Sequence, residues 1–256
     1  MVTSAHPLAS LAGLRMLMDG GNAVDAGVAT AAALNVVEPF MSGLGGAGFM
    51  HIHSARDKTQ KVLDYMGLAP QAATLDRFAN EEQRLRGPLP TLVPGACGGW
   101  LEALAQYGTM DAKTVFGPAI EYAESGFAVT MKGHEFISSG VADLHTHSSA
   151  DVSYLIDGRA PRPGEIIVQQ DLATTLRSLA EGGRDLFYDG EIGARIVAHL
   201  QSLGGLLTSD DLAAFQPTWQ DPISTTYRGY RICGPQPPCQ SAQYLLQLNM
   251  LEAFDL

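Results

Sequence analysis

Apolar positions recur at helical spacing from the start of the chain. Leu8, Leu11, Leu14, Leu17 and Met18 predict a first helix, stopped by Gly20-Gly21. Asn22 is placed to cap a second helix, running through Asp25, Val28 and Ala32 to about Val37 and ending before Pro39. "FMHIH", a polar turn over 55–60 and "KVLDYM" predict a hairpin. In its second strand Val62, Asp64 and Met66 share one face, with Leu63 and Tyr65 on the other, so Tyr65 is expected to pack away from any pocket that Met66 lines unless a bulge intervenes. Residues 71–90 are polar and loop-like. Helical patterns follow in "GGWLEALAQYG" and from Ala112 to Glu124, then a short helix and loop from Gly126 to Ala150. Two further amphipathic helices lie in "QQDLATTLRSLAEGG" and "DLFYDGEIGARIVAHLQSLGG". Thr208-Ser209-Asp210-Asp211 is an N-cap cluster. Two strands meet at Arg228-Gly229, and "SAQYLLQLNMLEAFDL" is helical. Two-stranded units at either end of a long helical stretch predict one α+β domain over 1–256.

Gly43, Gly45 and Gly48 spell G-x-G-x-x-G. A dinucleotide fingerprint needs a strand before these glycines and a helix after them, so that the pyrophosphate meets a helix N-terminus. Here a helix precedes and a strand follows. The glycines are therefore expected to serve a close backbone approach, where a Cβ would clash.

Charge and cysteine content narrow the partners. Net charge is −11 and no basic run appears, which argues against nucleic acid and anionic membrane surfaces. No apolar run reaches membrane-spanning length, since Asn35, Glu38 and Pro39 break the alanine-rich helix. No basic-plus-apolar leader follows Met1, so a cytoplasmic location is expected, or an exported one if a leader has been removed. Cys97, Cys233 and Cys239 are an odd number without zinc-ligand spacing. His51 and His53 share a strand face but lack a third ligand. Neither a metal nor a cofactor is expected.

Several motifs together resemble the γ-glutamyltranspeptidase family. They are "HPLAS" at His6–Ser10, "GGNAVDA" at Gly20–Ala26, "VEP" at Val37–Pro39 and "SGLGGAGF" at Ser42–Phe49. "VPG" at Val93–Gly95, "LATTLRSLAEGGRDLFYDGEIGARIV", "GGLLTSDDLAAFQP" and "TTYRGYRICGPQPP" continue the match in order. The resemblance implies part of the four-layer αββα sandwich of N-terminal-nucleophile hydrolases, helix-rich in this chain. It also implies a precursor that cleaves itself. The new N-terminal Thr of a small subunit then attacks an amide, with its own α-amine as base. The glycine run would pack closely near that nucleophile.

Two departures shape the expected function. The family's nucleophile stands in a T-x-H-like motif beyond the point matching Leu256. Thr174-Thr175 and Thr225-Thr226 are not followed by His and are read as structural. No catalytic residue is therefore assigned to this chain; it is expected to be the large-subunit part, inactive alone, with a small subunit as partner. Second, the family's D-x-R-E-x-A-P-like segment supplies an Arg for the substrate α-carboxylate. Here that segment is "DYMGLAP", with Met66 for Arg and Gly67 for Glu. A thioether cannot replace a bidentate Arg–carboxylate bond. Met66 and Gly67 are thus the candidate substrate-binding residues of an amidase or acylase acting on a small-molecule amide. The alternatives are a γ-glutamyl hydrolase or transferase with another anchor, such as Arg84 or Arg86, and a non-catalytic binding module.

Overall fold

Helices α1 (Pro7–Met18) and α2 (Ala23–Val37) form where the apolar pattern and Asn22 place them, but α1 faces the other way. Its buried residues are Ala9, Ala12, Gly13 and Met16, while Leu11 and Leu14 stay 46% and 41% exposed. Small side chains win because α1 lies close on α2. A Cβ on Gly13 would overlap Thr30 Oγ1. The leucine stripe is left on the outer surface. The structure, a computed structural model, describes residues 1–147 and 153–255.

The "GGNAVDA" motif is a structural clasp. Asn22 Oδ1 accepts from the Val24 and Asp25 backbone N–H groups, and Asp25 Oδ2 accepts from Asn22 N–H at 2.7 Å. Asp25, fully buried, also accepts from the backbone of Thr109 and Met110 and from the Thr109 hydroxyl. Burial alone would raise its pKa; these hydrogen bonds outweigh that and leave it lowered.

The hairpin follows, β1 (Phe49–Ser54) with β2 (Thr59–Asp64), in register from Phe49 opposite Asp64 to Ser54 opposite Thr59. The polar stretch after it holds a 3₁₀ turn (Leu75–Arg77) and a short α3 (Glu82–Leu85). Next come α4 (Ala96–Tyr107), α5 (Ala112–Ser125), β3 (Phe127–Ala128) and α6 (Met131–His147). Helix α6 is longer than the short helix expected there; the remainder of that expectation, up to Ala150, lies outside the described residues. β4 (Ile166–Ile167) pairs with β3. α7 (Gln170–Tyr188) is two helices joined at Gly183 (φ 63°), at the end of the "QQDLATTLRSLAEGG" segment. α8 (Glu191–Ser202) and α9 (Ser209–Ala214) follow, α9 with a capping box between Thr208 and Asp211.

β5 (Thr218–Gln220) has no counterpart in the sequence reading. It adds to β2, Leu63 opposite Trp219, to give a three-stranded antiparallel sheet in the order β1-β2-β5. β6 (Ile223–Tyr227) and β7 (Tyr230–Gly234) form the expected second hairpin through Arg228-Gly229. α10 (Ser241–Leu251) packs on it. The core lies where α2, α4, α5 and α7 meet, around Val28, Val36, Phe116, Leu176 and Leu179. Among the described residues no helix is long and apolar enough to cross a membrane.

Candidate active site

Two chain crossings build the site. The first is the glycine run itself. It leaves α2, and Gly46 N–H closes a turn on Gly43 O at 2.9 Å. Gly46 O then accepts from Gly95 N–H at 2.8 Å and Ala96 N–H at 2.9 Å, so a carbonyl of the run satisfies the start of α4. A Cβ on Gly46 would lie 2.9 Å from Gly43 O, and one on Gly48 3.0 Å from the Tyr65 ring. Close approach therefore explains Gly46 and Gly48. It does not explain Gly43 and Gly45, which have no such crowding. Those two line a cleft of about 450 Å³ with Pro39, Phe40, Ser42, Tyr65 and Trp100. The order of elements is α2, glycines, β1, which is not the order a dinucleotide site needs.

The second crossing is the 65–71 segment over residues 93–96. A Cβ on Gly67 would overlap Val93 O, and one on Gly95 would overlap Tyr65 O. Val93 N–H donates to Leu68 O at 2.9 Å. β2 ends at Asp64, Tyr65 N–H still donates to Gly48 O at 3.0 Å, and Met66 N–H turns back onto Asp64 Oδ1 at 2.9 Å. Tyr65, expected to pack away from the pocket, instead packs against Gly48 and Gly99 and forms part of the cleft wall. Burial pushes its hydroxyl pKa up. Met66 is half-buried beside it and is not among the residues lining the glycine cleft.

Distant groups hold this crossing. Asp211, from the α9 cap, accepts the Gln71 backbone N–H at 3.0 Å. Gln220 of β5 donates to Asp64 Oδ2 at 3.1 Å. The Tyr188 hydroxyl donates to Pro94 O at 2.8 Å and accepts from Gly98 N–H at 3.0 Å. Its ring stacks on Phe215, with the Arg184 guanidinium 4.8 Å from its centre. Cys97, on the same turn of α4, is buried, and its thiol is pushed up to about 12. It has the surroundings of a core residue and not of a nucleophile.

The threonines fit their structural reading. Thr174 and Thr175 donate to the Gln170 and Asp171 carbonyls of their own helix, and Thr225 donates to Asn249. Arg86 is engaged by Asp143 at 2.7 Å, while Arg84 is exposed on α3. Among the described residues no three His, Cys, Asp or Glu side chains stand together as metal ligands would.

Sequence reasoning named Met66 and Gly67 but missed Phe40, Tyr65 and Trp100. Phe40 stands beside the glycine run and Tyr65 within "DYMGLAP", which was the available signal; nothing local marked Trp100.

This architecture is the helix-rich portion of an N-terminal-nucleophile hydrolase sandwich. The chain superimposes on γ-glutamyltranspeptidase from Helicobacter pylori with a TM-score of 0.95 at 34% identity, covering 100% of this chain and 75% of that one. It superimposes on cephalosporin acylase from Bacillus halodurans with a TM-score of 0.89 at 37% identity, covering 98% and 48%. The gamma-glutamyltranspeptidase family model matches residues 9–256, and the chain belongs to that family. It is 38% identical over 269 residues to the acylase ACY 1 proenzyme of Pseudomonas sp. (strain SE83), covering all of this chain and 48% of the relative. It is also 38% identical over 264 residues to the glutathione hydrolase proenzyme of Bacillus subtilis (strain 168), covering 45% of that protein. The chain thus spans about half the length of the curated relatives it matches.

Proposed function

We propose that this chain is the large-subunit part, one domain over residues 1–256, of a self-processed amidase or acylase. It would act with a small subunit whose N-terminal Thr forms the acyl-enzyme. Relatives that are proenzymes about twice as long support the division into two parts. The Thr hydroxyls engaged within this chain support a nucleophile located elsewhere.

The acylase reading is supported by the "DYMGLAP" segment, in which Met66 and Gly67 stand where the family's motif has its carboxylate-binding Arg and the following Glu. Losing a charge-assisted bond of about 1.5–3 kcal/mol weakens binding of an α-carboxylate roughly tenfold to a hundredfold. Arg86, an alternative anchor, is engaged by Asp143. The similarity to a glutathione hydrolase proenzyme favours a second reading, hydrolysis or transfer of γ-glutamyl groups. Turnover of γ-glutamyl and butyryl p-nitroanilides by the processed two-part protein separates the two. Preference for the butyryl amide, which carries no carboxylate, is expected. Preference for the γ-glutamyl amide supports the second reading, and no turnover of any amide leaves a binding module. Met66→Arg should shift the ratio toward the γ-glutamyl amide; a folded variant with an unchanged ratio removes Met66 from the substrate site.

A further inference from the structure

Behind the glycine cleft lies a second cavity of about 320 Å³, between the Pro39-Phe40 turn and α6. It shares Pro39 and Phe40 with the cleft, so one wall serves both. Its lining is mainly apolar, with Phe136, Ile137 and Leu144 of α6. The Phe40 and Phe136 rings are stacked, with centroids 4.7 Å apart and planes 5° from parallel, and so present flat ring surface. Polar groups are few. Asp143 is engaged by Arg86. Tyr154 lines the same cavity, and burial raises its hydroxyl pKa, so the side chain stays neutral.

Gly140 lines this cavity from α6, with no positive φ, and among the described residues nothing lies within 4 Å of the position its Cβ would take. A larger side chain there has room, and a helix-interior glycine is less stable than alanine, so this position is a handle on the cavity that does not disturb the helix.

We propose that this cavity is a subsite for a planar aromatic group on the acyl part of the amide substrate, an arylacetyl group fitting its volume. The ring would lie against Phe40, offset from Phe136, with its linker passing the shared Pro39-Phe40 wall into the glycine cleft. The inference rests on the amidase reading for the identity of the ligand as an acyl group, but not for the existence of the site.

The test uses the processed two-part protein and two measurements. Phenylacetate, with acetate as the control, is titrated by ligand-observed NMR. Ammonia release from phenylacetamide and acetamide gives the ratio of their kcat/KM values. Gly140→Leu should fill the cavity, abolish phenylacetate binding and lower the phenylacetamide-to-acetamide ratio at least tenfold. Because it removes a helix glycine into open space, its melting temperature should not fall. Phe40→Leu, which keeps apolar volume but removes a ring face, should give a smaller loss of both. If no amide is cleaved but phenylacetate binds and Gly140→Leu abolishes it, the amidase reading fails and the site stands. Phenylacetate that fails to bind at millimolar concentration, or binds equally to a folded Gly140→Leu variant, overturns the site.

Discussion

The α1–α2 pair and the β6–β7–α10 unit treat their apolar residues differently. In the first, Ala9, Ala12, Ala29, Ala32 and Ala33 are fully buried, and Asp25 fixes the turn between the helices to the α4–α5 connection. In the second, Leu245 is buried against the hairpin, yet Leu246, Met250 and Phe254 remain 61%, 62% and 62% exposed. The first region closes its helix–helix contact with small buried side chains, although Leu11, Leu14 and Met18 of α1 stay outside. The second presents an apolar helix face and a two-stranded hairpin with open edges, features that a stable protein normally covers. Relatives of about twice the length suggest what covers it: polypeptide of the proposed small subunit.

The largest effect should come from the inner crossing. Gly95→Ala would place a methyl into Tyr65 O and should cost at least about 3 kcal/mol, the upper end of overpacking losses, in urea unfolding. Gly45→Ala, at the open cleft, should stay within about 0.5 kcal/mol. Equal losses at the two positions would erase the distinction between packing and cleft-lining glycines.

Asp25→Ala comes next. It strands backbone donors of Asn22, Thr109 and Met110 and should cost about 3 kcal/mol. The folded pKa of Asp25 is below its ordinary 3.8, so its contribution is present above that value and is lost as pH falls through the folded pKa. The variant should lack this part of the acid transition in pH-dependent melting curves.

His6 should give a smaller effect in a different pH window. Its Nδ1 accepts from Leu8 N–H and caps α1, so the ring must be neutral there. Burial lowers its pKa below 6.5. The stabilisation is therefore complete above pH 6.5 and declines as pH drops toward the folded pKa, by about 1 kcal/mol if only the cap is lost. A melting temperature flat from pH 7 to 5 would contradict this.

Leu246→Ser should change the stability of the isolated chain least, within about 0.5 kcal/mol. It should nonetheless weaken association with the second polypeptide roughly tenfold, since burying a leucine is worth about 1.5–3 kcal/mol.

Local signals were legible in the sequence, and long-range ones were not. The Asn22 and Thr208 caps and the Arg228-Gly229 turn depend on residues within a few positions of one another. β5 has three residues and exists because β2 accepts it across about 150 positions, which no local pattern records. The leucines of α1 were readable as a stripe, but which face meets α2 was decided by Gly13 and Thr30. In the site, the family motifs pointed to Met66, whereas Tyr65 forms the cleft wall through its packing on Gly48 and Gly99, distant positions that no local pattern joins.

Hydrogen–deuterium exchange tests the central claim most directly, with the chain measured alone and again joined to the second polypeptide. Amides of 23–37 should be protected equally in both states. Those of 223–251 should exchange fast in the isolated chain and become protected on assembly, together with the appearance of amide hydrolysis. Strong protection of 223–251 in the chain alone, unchanged by the second polypeptide, would contradict the account.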